Sequence, residues 1–191
     1  MSPRIGLDLP TLLQTATEIA DQKGMEAVTL ASLAQKLEIK SPSLYNHVNG
    51  LNGLRTKMAI FGLEQLHHTL IHAANGRSGD VAIRAMSRGY VTFVRSHPGL
   101  YEATLQAPDP SDPEVQQAGK PIVDLVLQVL EPYGLNEEES LHITRGLRSL
   151  LHGFASLEQK GGFGLPLNRD ESLDLLIETY LAGIQAKKSK Y

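Results

Sequence analysis

The sequence predicts an all-α protein, and three observations carry that expectation. Apolar residues recur at helical spacing in nearly every segment. Capping and breaking residues punctuate those segments in the order that helices require. Strand-like alternation is nearly absent.

Leu9, Leu12, Leu13, Ala16, Ile19 and Ala20 form the first apolar stripe, with Asp8 placed to cap it and Gly24 to end it. Thr29 is placed to cap a second helix, 29–37, which carries Leu30, Leu33, Ala34 and Leu37 on one face. Ser41-Pro42 reads as a cap followed by proline at the first helical position of a short third helix ending near Val48. After Asn49-Gly50 a long helix runs from about Leu51 to Ala74. The loop 75–79 leads to a helix from Asp80 to about Ser96, stopped before His97-Pro98-Gly99. A short helix over about 100–106 and a proline-rich loop, 107–113, follow. Helices over about 115–132, 137–160 and 171–187 complete roughly nine, with 161–166 as a loop.

Of the 191 residues, 41% are hydrophobic, enough for a buried core and against wholesale disorder. With no cysteine, disulfides, thiolate metal sites and cysteine nucleophiles are excluded. No run approaches the roughly 18 apolar residues of a membrane span, so a soluble cytoplasmic protein with no membrane partner is expected. Net charge is -3, an unpromising balance for a nucleic-acid binder. The charge is uneven, however. Residues 1–57 hold six basic and five acidic groups, while the remainder holds 12 and 16. Any DNA affinity must therefore rest on more than lysine count.

The helices 29–37 and 41–48, joined by Glu38-Ile39-Lys40, have the spacing of a helix-turn-helix. Leu33, Leu37, Ile39, Leu44 and Val48 can face one small core. Lys40, Ser43, Tyr45, Asn46 and His47 then point outward, and each can donate a hydrogen bond to a base edge. Thr29 and Ser41 mark helix N-termini suited to phosphate. Turns of this kind often hold glycine, where this chain has Glu38.

Thr29–Ala34 followed by Ser41–Val48 resembles the DNA-binding domain of the tetracycline-repressor (TetR) family. The segments Arg84…Tyr90, His97–Tyr101, Ala107–Pro110, Leu147–Phe154 and Leu157–Pro166 resemble its subgroup with a WHG-type C-terminal domain. The resemblance spans almost the whole chain. It implies a DNA-binding domain over 1–50 and a ligand-binding and dimerisation domain over 51–191. It also implies a homodimeric transcriptional regulator, expected to be a repressor, on double-stranded operator DNA, released by a small-molecule effector. Thr29, Lys40, Ser41, Ser43, Tyr45, Asn46 and His47 match the DNA-facing positions. Two departures are that Asn49–Gly53 holds no lysine and that the chain has no tryptophan.

An effector cavity in the C-terminal part would be apolar, with Phe61, Tyr90, Phe93, Tyr101 and Phe154 as candidates. His97, Arg148 and His152 are candidate polar points in it. Leu147, Leu150, Leu151 and Phe154 on one helix offer more apolar surface than one bundle needs. So do Leu173, Leu176, Ile177, Tyr180, Leu181 and Ile184 on the last, and the two sets are expected to form the dimer interface. His68 and His72 share a helix face but lack the carboxylate of a zinc-protease motif. Gly161–Gly164 lacks the lysine of a P-loop, and Ser149 and His152 lie on a helix with no sharp turn to expose the serine. No cofactor, metal or catalytic activity is expected. The competing reading is a helical-bundle carrier of an apolar small molecule, to which an exposed, polar, capped helix at 41–48 would be of no use.

Overall fold

The computed structural model describes residues 7–188. Among them are eight α-helices, three short 3-10 helices and no strand. The helices fall into two compact units. The first runs up to Glu64 and adds Ser96–Gly119; the second comprises Gln65–Arg95 and the chain from Lys120 onward.

The first unit begins with α1, Leu9–Lys23. Thr11 N–H donates to Asp8 Oδ1 at 2.8 Å, which caps the helix as expected. Gly24, at φ 83°, turns the chain out of it. The 3-10 turn Met25–Ala27 then buries Met25. Helix α2 spans Leu30–Lys36 and is closed by a reciprocal cap: Ser32 N–H donates to Thr29 Oγ1 and Thr29 N–H to Ser32 Oγ, both at 3.0 Å.

The third expected helix is 3-10 rather than α, over Ser41–Asn46, with Lys40 at its N-cap position. Ser41 therefore does not cap it; no side chain does. The segment is six residues long and opens with proline, too short to gain from a repeating α ladder. Helix α3, Gly50–Ala74, runs on into the second unit. Helix α5, Pro98–Leu105, belongs to the first unit, although α4 before it in the chain belongs to the second. One apolar core joins Leu12, Ala16 and Ile19 of α1 to Leu33, Leu44, Val48, Leu54, Met58 and Ala103.

The second unit takes the remainder of α3, α4 (Gly79–Ser96, up to Arg95), the later part of α6 (Pro113–Leu130), α7 (Glu137–Gln159) and α8 (Arg169–Lys188). Asn136 and Glu139 form a capping box at the start of α7. Three arginines of α4 reach other helices. Arg84 pairs with Glu178. Arg88 makes a two-pronged bond to Asp174 at 2.8 and 2.7 Å, which holds the Asp174 carboxyl below its usual range. Arg95 grips Glu158 at 2.8 and 2.9 Å and Asp170 at 2.8 Å. The Tyr180 hydroxyl donates to Ile143 C=O at 2.6 Å, and Gly146 leaves it room, since a Cβ there would meet the tyrosine ring. Burial raises the Tyr180 hydroxyl pKa.

Candidate nucleic-acid interface

The turn between α2 and the Ser41–Asn46 element is the local key to the site. Glu38 N–H donates to Gln35 C=O at 3.2 Å and Ile39 N–H to Ala34 C=O at 3.0 Å. This is a Schellman ending, in which the residue after the C-cap must be left-handed. That residue is Glu38, at φ 55°, the one non-glycine with positive φ among the described residues. Its polar side chain is exposed, so the whole cost is backbone strain.

Beyond the turn, Ser43 N–H donates to Lys40 C=O at 2.9 Å and His47 N–H to Leu44 C=O at 2.9 Å. Leu44 is fully buried and anchors the element on the α1–α2 core. Around that anchor Lys40, Ser41, Ser43 and Asn46 are exposed, and Tyr45 keeps 60% of its surface. Thr29 is exposed at the α2 cap, where its hydroxyl is engaged with Ser32. His47 is half-buried. It stands close enough to Asp8 to help lower the Asp8 pKa, after the larger effect of the Thr11 hydrogen bonds. The seven residues singled out in the sequence thus bracket one capped, two-element motif.

The electrostatics are modest. Lys36 is paired with Glu18 at 2.7 Å, and Arg55 lies 3.9 Å from Glu26. Donors on the exposed face are mainly hydroxyl, phenol, amide and imidazole groups, which recognise by hydrogen bonding more than by charge.

Comparison with known proteins gives this geometry its context. Residues 83–180, just over half the chain, match the family model for the tetracyclin repressor-like C-terminal domain. An uncharacterized HTH-type transcriptional regulator, YobS of Bacillus subtilis (strain 168), is 41% identical over 185 residues, covering 96% of each chain. The chain belongs to the TetR family of transcriptional regulators. It is a regulator and not an enzyme. The TetR fold is shared with a protein of unknown function from Rhodococcus sp. RHA1, at TM-score 0.80 and 20% identity over 96% of this chain and 98% of that one. It is shared too with a TetR variant from Acinetobacter baumannii AYE in complex with minocycline, at TM-score 0.72 and 18% identity over 95% and 98%.

In this TetR-family chain the candidate cavity residues are divided between the two units. Phe61, half-buried, and Tyr101, buried, lie in the first unit. Tyr90, Phe93 and Phe154 are buried and His152 half-buried in the second. Two of the candidate polar points are exposed. Arg148 is exposed on α7. His97 is exposed and already committed: its Nδ1 lies 2.9 Å from Asp21 Oδ2 on α1. Asp21 is the residue that sequence reasoning missed, because nothing local to α1 calls for a carboxylate at its end.

The candidate dimer residues differ in exposure. Leu147, Leu151, Phe154, Leu173, Ile177, Leu181 and Ile184 are buried within the single chain. An apolar stripe shows which face is covered, but not whether the cover comes from the same chain. Leu150, Leu176 and Tyr180 remain half-open and line a groove on α7 and α8 with His142, Thr179 and Gly183. No helix among the described residues is long and apolar enough to cross a membrane.

Proposed function

We propose that this chain is a cytoplasmic repressor that binds double-stranded operator DNA as a homodimer and releases it when a small molecule binds its C-terminal part. The observation that carries this reading is the Ser41–Asn46 element, seated by a fully buried Leu44 and presenting Lys40, Ser41, Ser43, Tyr45 and Asn46 to solvent. A short, rigid element with a polar and nearly uncharged face suits base edges in a major groove. Thr29 and His47 flank it as further contacts. The half-open groove of Leu150, Leu176 and Tyr180 is the surface assigned to a second copy, whose symmetry would set two reading elements one DNA turn apart, about 34–36 Å. Support for an effector comes from the fold neighbour that holds minocycline.

The test is Tyr45→Ala, read by gel shift on the DNA upstream of the protein's own gene and by calorimetry. Tyr45 is exposed, so the melting temperature should hold, while each half-site loses about 1–3 kcal/mol of binding. Unchanged affinity would sink the assignment. With Lys36 and Arg55 near carboxylates, the dependence of log K on log salt should be far shallower than a slope of about -10.

A further inference from the structure

Helix α5 is covalently a continuation of α4, yet it packs as part of the unit that carries the helix-turn-helix. One carboxylate accounts for this. Asp21, in the last turn of α1, accepts from Gly99 N–H at 2.9 Å and Leu100 N–H at 3.0 Å through Oδ1. Its Oδ2 takes the His97 Nδ1–H at 2.9 Å. Asp21 therefore caps α5 from another helix, doing what no side chain of its own segment does. The approach is as close as backbones allow: a Cβ on Gly99 would overlap the Ala20 carbonyl group.

The other side of the junction is equally committed. Arg95, which ends the first segment of the second unit, is held by Glu158 and Asp170. Between Arg95 and His97 stands only Ser96, exposed at the end of α4. A displacement of that end of α4 has one backbone residue in which to dissipate before it reaches His97. His97 and α5 are clamped to α1, and α1 shares its core with Leu33 and Leu44 beneath the exposed polar face.

We propose that Asp21 is a positioning residue for DNA binding, clamping α5 to α1 so that the Arg95–Ser96–His97 junction carries motion between the effector-binding part and the DNA-reading element. This rests on the DNA-binding reading above.

Hydrogen exchange on the full chain, with and without the duplex from upstream of its own gene, tests it. In the wild type the duplex should slow exchange over 29–48 and, remotely, over 100–105 and 91–95. In Asp21→Ala the slowing over 29–48 should persist and the remote slowing should vanish, with the free α5 amides exchanging about tenfold faster. Asp21→Asn keeps an acceptor for Gly99 and Leu100 N–H and should restore part of the remote response; if the alanine variant does not fold, this variant against the wild type decides. A merely structural clamp would speed exchange in the free protein but leave the DNA-induced ratio unchanged, and that result overturns the proposal. So does wild-type slowing that is confined to 29–48 or stops short of 91–95. No slowing over 29–48 in the wild type would instead overturn DNA binding itself, and this inference with it.

Discussion

The two units of this chain are held together by different chemistry. In the first, the described contacts are mostly hydrocarbon, with a core running from Leu12 to Ala103 and local caps at Asp8 and Thr29. Its ion pairs are few, and Arg55–Glu26 is long at 3.9 Å. In the second, Arg84, Arg88 and Arg95 of α4 reach Glu178, Asp174, Glu158 and Asp170 of α7 and α8. Apart from the Asp21 clamp and the Lys36–Glu18 pair, the first unit is thus anchored by contacts indifferent to salt. The second unit uses directional charged contacts, which salt weakens where they are exposed.

The hardest strike on that comparison is Leu44→Ala. It removes a fully buried anchor and should cost about 2–5 kcal/mol, with a loss of melting temperature that is the same in low and high salt. A salt-sensitive loss would break the contrast. Arg95→Gln comes next. It strips the main partner from a Glu158 side chain only 8% exposed, leaving Arg169 at 3.8 Å. About 1–3 kcal/mol should be lost, less in molar salt because part of the pair is solvent-screened. Equal losses at both salt concentrations would mean that packing, not charge, holds α4 to α7. The smallest effect should be a gain. Glu38→Gly relieves left-handed strain of about 1–2 kcal/mol and restores about 0.5–1 kcal/mol of unfolded-state entropy, for a net stabilisation of about 0.5–1 kcal/mol. A destabilised variant would show that the Glu38 side chain contributes contacts of its own.

How much of this was legible beforehand followed the range of the interaction. Asp8, Gly24 and Thr29 act on atoms three or four residues away, so a stretch of sequence contains both partners of each bond. The polar face at Lys40, Ser43, Tyr45 and Asn46 was equally readable, because Leu44 and Val48 define the opposite side. Glu38 was visible as an odd residue in a turn; its left-handed backbone was not.

By itself, the sequence determined the order of the α-helices, the caps at Asp8 and Thr29 and the exposed polar motif, since periodicity and capping are properties of neighbouring residues. Only the tertiary structure decided that 41–46 winds as a 3-10 helix, and that His97 pairs with Asp21. It also decided which stripes of α7 and α8 the chain covers for itself. The partners in those cases lie far off in the chain, 76 residues for His97 and Asp21, and 63 for Arg95 and Glu158. An apolar or charged side chain states what kind of neighbour it needs. Which neighbour it receives is settled when every helix competes for the same core.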